Sequence, residues 1–454
     1  MYRAPLLLSL VIVAGAARGQ ELDRATPDPE RRRTVSEREA GAAPVASSTR
    51  SVRRAPRVVE EDLDPDLFPD PDAARPGEPE QEGGRIEVDH GGKLWTAGGY
   101  DSNVFRSETG HRGDGFGQAH AETNVQLRFP HGGELFAEIG GETLVYFQRD
   151  QADEHYVSAF LEYFQVVTSW LEVGAQNAFE YSQLNLLDDR GDLLPRGRFG
   201  SVDEEPRLFL ILRPGDPERA DEGWLRPRDL SLELGASYRL KDYDENTGVD
   251  SLDYVEARLD AALRYRLARS PRAQLKLKYR FRRRDYREFR ARERDGLVSA
   301  ASPHLDVERH QLDLRLTQQI EYGYLHGRLI ADVGLVYNRD DYRNDRSYRE
   351  VSGTVSCEWW PVQSYTRVDL GVRGIARDFL VRRPTTTGGH LHHRSLRLQV
   401  GVWQRLVSAD EGARPGETPV LALFGTAVMT IWRSGDLRED YDRLVVSGGL
   451  ELSW

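Results

Sequence analysis

Cysteine and long apolar runs are scarce in this sequence, and each scarcity excludes a class of structure. The single cysteine, Cys357, cannot form an intramolecular disulfide. No run of about 18 apolar residues follows the N-terminus, so transmembrane helices are not expected. The formal net charge of -12 argues against a generally basic surface for nucleic acid, and no nucleic-acid partner is predicted. The mean hydropathy of -0.61 does not exclude a membrane protein, because a membrane-spanning strand needs apolar residues only at alternate positions.

The N-terminus has the three parts of a secretory signal peptide. Arg3 supplies the positive charge, residues 5–14 form the apolar region, and Ala17 and Gly19 are small residues at the recognition positions for cleavage. We therefore predict a signal peptide over residues 1–19 that directs the chain through the inner membrane.

Residues 20–88 form a segment rich in proline and charged residues. This composition buries too little apolar surface to offset the entropy of ordering the chain, so a disordered periplasmic segment is predicted. The alternative is a docking arm in the periplasm, anchored by Leu63, Leu67 and Phe68.

From about residue 92 onward, apolar residues recur at every second position. The clearest segments include Leu230, Leu232, Leu234, Ala236, Tyr238 and Leu240, and Ala273, Leu275, Leu277, Tyr279 and Phe281. This period is that of a strand with two different faces. Many segments reach the roughly 9–11 residues that a membrane strand needs, whereas soluble strands average about 5–6.

Sixteen such segments can be counted, and they predict an all-β, antiparallel, up-and-down transmembrane barrel over residues 89–454. Fourteen or eighteen strands remain alternatives, because the first and sixth segments are weak. Short connections alternate with longer polar ones, as in outer-membrane barrels. The segments are 92–100, 117–129, 134–147, 155–166, 169–182, 204–213, 229–242, 252–267, 272–286, 306–320, 327–338, 348–360, 365–380, 394–407, 418–432 and 441–454.

Taking the apolar face as the lipid-facing one assigns charged residues to the barrel interior, in two groups. The predicted basic wall comprises Arg258, Arg264, Arg266, Lys276, Lys278, Arg280, Arg282, Arg315, Arg367, Arg373, Arg377, Arg397 and Arg405. The predicted acidic wall comprises Glu122, Glu134, Glu138, Glu142, Glu162, Glu172 and Glu180.

Two interpretations of these charges stay open. They could pair across strands and simply fill the barrel, at roughly 0.2–1 kcal/mol per good pair. Alternatively, the arginines bind carboxylate or phosphate groups and concentrate anions in a pore.

Signals for chemistry are weak, and we predict neither a catalytic site nor a cofactor or metal site. The cluster His390, His392 and His393 could bind a divalent metal, but it lacks a carboxylate or cysteine partner and is assigned to a solvated loop. His120, His155 and His310 could act as bases, but none has a convincing serine or aspartate partner. The prediction is a protein that is not an enzyme.

Two stretches resemble known proteins. The last strand carries Leu450, Leu452 and Trp454 on one face, which resembles the C-terminal signal that the barrel-assembly machinery recognises. Aromatic residues near strand ends fit interfacial girdles: Tyr146, Phe147, Trp170, Phe179, Trp359, Trp360 and Trp432.

The stretch Gly99-Tyr100-Asp101-Ser102-Asn103-Val104-Phe105 resembles the opening strand and loop of Gram-negative outer-membrane barrels, including porins associated with exopolysaccharide and capsule secretion.

This resemblance implies an outer-membrane porin that exports a polymer, for which an acidic exopolysaccharide is the leading hypothesis. Outer-membrane lipids, the assembly machinery and a separate periplasmic polysaccharide-export protein would be its partners. The alternatives are a general or anion-preferring solute porin, and a structural or adhesive surface barrel plugged by its loops.

Overall fold

The computed structural model describes residues 86–104, 113–149, 152–184, 199–213, 230–243, 253–269, 272–291, 301–322, 325–344, 346–361, 366–382, 390–408, 420–435 and 440–454. The predicted signal peptide and most of the predicted disordered segment lie outside these residues. None of the described residues forms a helix that is long and apolar enough to cross a membrane.

Sixteen antiparallel strands form one closed barrel in which each strand pairs with its neighbours along the chain, and β1 pairs with β16. The prediction of an all-β up-and-down barrel of sixteen strands is confirmed. The strands are β1 (Glu87–Asp101), β2 (Asp114–Arg128), β3 (Gly133–Tyr146), β4 (Glu154–Thr168), β5 (Leu171–Leu184), β6 (Phe199–Leu212), β7 (Leu230–Tyr243), β8 (Tyr254–Arg269), β9 (Arg272–Arg290), β10 (His304–Tyr322), β11 (Leu325–Asp340), β12 (Tyr348–Trp360), β13 (Thr366–Phe379), β14 (His392–Ser408), β15 (Val420–Ser434) and β16 (Tyr441–Ser453).

The first and sixth strands, whose sequence signal is weakest, are both present and begin about five residues earlier than predicted. In β6 the apolar alternation of the outer face is interrupted by Glu204, two residues before Pro206. Pro206 has no N–H group to donate, and the pairing of β6 with β7 is broken between Glu204 and Arg207. The strand persists because its pairing with β5 is continuous from Leu171 to Leu184.

Both ends of the barrel chain lie at one edge, where Lys93 pairs with Ser453. We call this edge the terminal end and the opposite edge the far end. Most terminal-end connections are short, such as residues 129–132, where Gly132 adopts a positive φ of 75° in a tight turn. Two connections at this end, residues 213–229 and 409–419, are long and depart from the short turns of the usual pattern.

The two faces of the barrel wall differ sharply in polarity. Outward residues are apolar and exposed, for example Leu208 (68 %), Leu259 (56 %) and Val355 (53 %), whereas inward residues are mostly polar and buried or half-buried. A belt of exposed apolar side chains around the whole barrel is far larger than the patches that water-soluble monomers expose. A closed barrel also satisfies its backbone hydrogen bonds inside lipid. The chain is therefore a transmembrane β-barrel, with the architecture of bacterial outer-membrane proteins.

Candidate functional site: a charged barrel interior

All thirteen residues of the predicted basic wall lie on the inner face, alternating with exposed apolar residues of the same strands. On β9 every inward position from Lys276 to Arg284 is basic, because the sequence repeats Lys or Arg at every second residue. The described neighbours Arg284 and Arg309 belong to the same wall, although the sequence analysis did not name them. Their alternation with outward residues is the signal that could have found them. That this wall lines a pore remains a prediction.

Like charges face one another across the strands of this wall. Arg264 on β8 pairs in register with Lys276 on β9, which in turn pairs with Arg315 on β10. A second row has the same form and consists of Arg258, Arg282 and Arg309. On the other basic strands, Arg373 of β13 lies opposite Arg397 of β14. Like charges in directly paired positions destabilise a sheet, so these rows reduce the stability of the barrel.

Acidic side chains offset part of this charge, as the pairing interpretation predicts. Their contacts involve basic residues on β8, β9 and β10 and carboxylates on adjacent strands, except that Glu205 of β6 contacts Arg258 of β8 across β7. The nitrogen–oxygen distances are 2.6 Å for Arg258–Glu205, 3.0 Å for Arg264–Glu233, 2.7 Å for Arg284–Glu256, 3.2 Å for Arg280–Asp313 and 2.8 Å for Arg315–Asp332. The interior is therefore both paired and locally crowded with positive charge.

A buried ion cluster beside this wall was missed by the sequence analysis. Arg207 of β6 donates to Glu233 at 2.7 Å and to Asp260 at 2.8 Å. The cluster fits because position 235 is glycine: a Cβ atom there would lie 2.6 Å from the Arg207 guanidinium and 2.8 Å from Asp260. The three charged residues have the same strand alternation as the predicted wall, which is the signal that would have identified them.

Two basic residues of β13 make contacts of different kinds. Arg377 donates to Glu350 on β12 at 2.6 and 2.7 Å, and both side chains are buried. The Arg367 guanidinium lies over the Trp403 ring at 4.2 Å from its centroid and 3.2 Å from Asp369. Cation–π contact of this kind holds a guanidinium against the wall without neutralising it.

The seven glutamates of the predicted acidic wall also lie on the inner face, on β2 to β5. Glu122 and Glu142 flank His120 at 2.9 and 3.5 Å, and the imidazole of His120 stacks on Trp95 with centroids 5.3 Å apart. Acidic side chains thus predominate on the inner face of β2 to β5, whereas basic side chains lie beside carboxylates on β8 to β10. Such an uneven distribution of charge produces an electric field across the barrel interior.

Two other histidines considered in the sequence, His155 and His310, do not join this interior site. His155 contacts Thr143 at 2.6 Å and His310 contacts Tyr279 at 2.9 Å, and both lie on the outward alternation of their strands. His392 and His393 begin β14 and point to opposite faces, so their assignment to a loop was wrong. Among the residues that the structure describes, no group of three or more His, Cys, Asp or Glu side chains could hold a metal ion.

The predicted aromatic girdle is correct for only part of its members. The exposed rings of Phe147, Phe179 and Trp359 lie on the outer face, and Trp170 is exposed in the turn between β4 and β5. Tyr146, Trp360 and Trp432 follow the inward alternation instead, and Tyr146 is almost completely buried. Position near a strand end does not determine the face, because adjacent residues point to opposite sides.

The C-terminal residues lie on the lipid-facing side, with Leu450, Leu452 and Trp454 exposed by 46 %, 37 % and 40 %. The Trp454 backbone also exchanges hydrogen bonds with Gly92, at 2.9 and 3.0 Å, which closes the terminal end of the barrel. A role as the assembly signal stays a prediction.

No protein-family model matches the chain, and no curated protein matches it. Among solved structures, it is similar to CdiB from Acinetobacter baumannii at 8 % identity and a TM-score of 0.46, covering 82 % of this chain and 66 % of CdiB. It is similar to an anion-selective porin from Comamonas acidovorans at 11 % identity and a TM-score of 0.38, covering 82 % and 100 %. A bacterial polysaccharide outer membrane secretin matches at 11 % identity and a TM-score of 0.38, covering 80 % and 97 %.

Proposed function

We propose that this barrel is an outer-membrane porin that exports an acidic polysaccharide, without catalysing a reaction. The observation that carries the proposal is the set of like-charged rows on the inner face, above all Arg264, Lys276 and Arg315. A barrel that only needed filling would place opposite charges in these directly paired positions, since opposed like charges cost stability. Residues that reduce stability in this way are characteristic of binding and transport sites.

The basic wall also has the extent that a polymer requires. Lys276 to Arg284 covers about 26 Å along β9 at about 3.3 Å per residue. With a strand tilt of about 40°, this corresponds to about 20 Å of the roughly 30 Å hydrocarbon core. A small anion needs one selective constriction, whereas an extended polyanion benefits from cationic contacts throughout the passage.

Partial neutralisation by the barrel's own carboxylates suits passage better than tight capture. Arg264 and Arg315 each have a carboxylate within 3.0 Å, so a uronate group of the polymer would compete with Glu233 or Asp332. Each contact is then weak and exchangeable, which conduction requires. In this proposal the chain is secreted through the inner membrane, is inserted by the barrel-assembly machinery, and receives polymer from a periplasmic export protein.

Planar-bilayer recordings of the purified full-length chain test the proposal. We expect a conducting, anion-preferring pore that a short oligogalacturonate blocks transiently. The triple variant Arg264→Gln, Lys276→Gln, Arg315→Gln should lower the anion-to-cation permeability ratio by about twofold or more, since it removes one complete row. The matched control is Arg283→Gln, whose side chain is 57 % exposed on the outer face.

Each other outcome points to a different function. A closed barrel without current would indicate the structural or adhesive role. A conducting pore that oligogalacturonate does not block would indicate a porin for small solutes. Equal selectivity of the triple variant and the wild type would show that the basic rows have no role in the lumen.

A further inference from the structure

A run of five aromatic rings follows the inner rim of the far end from β12 to β16. Neighbouring centroids are 5.6 Å apart for Tyr348–Phe379, 5.2 Å for Phe379–His393, 5.1 Å for His393–Trp432 and 6.1 Å for Trp432–Tyr441. The last pair is nearly parallel, with an interplanar angle of 8°. Five adjacent strands thus each place one ring at the same rim. We call this set the rim aromatics.

The rim aromatics lie beyond the apolar belt and are not lipid-facing girdle residues. Each ring is next in sequence to an outward charged residue: Arg349, Asp378, Arg394, Arg433 and Asp442. These outer residues form exposed ion pairs, such as Arg394–Asp378 and Arg433–Asp442, both at 2.7 Å. The outer face at this height is therefore in water, while the inner face carries the rings.

Accessibility changes along the run. Tyr348 and Phe379 are buried at 4 % and 3 % and pack with Val336 and Leu391, so they form a fixed base. Trp432 and Tyr441 are only half-buried, so part of each side chain is accessible at the inner rim. Apolar packing accounts for Tyr348 and Phe379. It does not account for the partly exposed side chains of Trp432 and Tyr441 at the other end of the run.

We propose that Trp432 and Tyr441 form a binding site for the sugar rings of a polysaccharide that leaves the barrel. A pyranose ring offers a face of C–H bonds to an aromatic π face, and its hydroxyl groups can exchange hydrogen bonds with the Tyr441 hydroxyl. This site would recognise the shape of the sugar ring and not its charge. It would therefore add to the charge recognition that we propose for the basic wall. This inference rests on the proposed function and adds the class of contact made at the exit.

Equilibrium binding of two probes to the purified full chain in detergent tests the site. The probes are maltoheptaose, which is neutral, and an oligogalacturonate of the same length. The double variant Trp432→Ala, Tyr441→Ala should raise the Kd for maltoheptaose by about tenfold, on the scale of losing one stacking platform. The triple variant of the basic row should weaken only oligogalacturonate. The matched control is Trp359→Ala, Tyr238→Ala, which removes the same ring types from the outer face.

The outcomes separate this inference from the proposed function. If the wild type binds oligogalacturonate but not maltoheptaose, the sugar site at Trp432 and Tyr441 is wrong, whereas the proposed role of the basic wall is unaffected. Unchanged maltoheptaose affinity in the double variant would also overturn it. Binding of neither probe would contradict both proposals. If the double variant does not fold, the single variant Tyr441→Ala replaces it and should also weaken maltoheptaose binding. Trp432→Phe should retain most of the affinity for maltoheptaose because it keeps an aromatic ring.

Discussion

Replacing Arg443 with leucine is expected to destabilise the barrel by about 3–5 kcal/mol, because it leaves a buried carboxylate without its cation. Arg443 of β16 donates from Nε to both carboxylate oxygens of Asp101 on β1, at 2.9 and 3.0 Å. The two side chains are only 2 % and 1 % exposed. Asp101 keeps two further donors, the Asn103 amide at 3.0 Å and the Tyr146 hydroxyl at 3.1 Å, so the loss should fall near the lower value.

The same end of the barrel provides a control with similar geometry and different burial. Arg433 donates to Asp442 at 2.7 and 3.1 Å, but these side chains are 49 % and 51 % exposed. Arg433→Leu should therefore cost no more than about 1 kcal/mol. Removing both buried charges, in Asp101→Asn with Arg443→Leu, should recover much of the loss of the single variant, since the unpaired charge disappears.

Urea unfolding in lipid vesicles, followed by tryptophan fluorescence, measures these differences if the slope of the transition is unchanged. Equal losses of stability in Arg443→Leu and Arg433→Leu would show that burial of the ion pair has no influence, contrary to this prediction. A double variant less stable than Arg443→Leu would also refute it.

Two further changes test the barrel wall. Leu259→Arg, on the lipid-facing side, should lower the free energy of unfolding by about 2–4 kcal/mol and reduce assembly. Thr354→Arg, on the inner face, should lower it much less. Equal unfolding midpoints of the two variants would contradict the assignment of the faces. Gly449→Ala should cost about 1–3 kcal/mol, because a Cβ there would collide with the backbone oxygen of Thr96 in the pairing of β1 with β16. In Gly425→Ala the nearest atom is 3.9 Å away, so that variant should unfold like the wild type in the same assay.

The strands of this barrel could be predicted because alternation is a local signal that both faces reinforce. Residues such as Leu277 and Lys278 are neighbours with opposite polarity, and a shift by one residue would place lysine in lipid. Where the outer face lacks an apolar residue, as at Glu204 of β6, the start of the strand was misplaced. The inward position of all the predicted basic and acidic residues follows from the same alternation.

Partners across strands could not be predicted, since the sequence does not give the register. The contact of Arg207 with Asp260 joins β6 to β8 over Gly235, and no local pattern indicates it. The inward position of Trp432 was missed for a different reason. Its place near a strand end suggested a girdle, and its alternation with Arg433 was the better guide.

A clean deletion of the gene, with sugar polymer measured outside the cell and in the periplasm, tests the export role most directly. We expect loss of polymer outside the cell and accumulation in the periplasm. The wild-type gene should restore secretion, and the Arg264→Gln, Lys276→Gln, Arg315→Gln variant should restore it only in part. Unchanged polymer in both places would contradict export and leave the solute-porin or surface-barrel alternative.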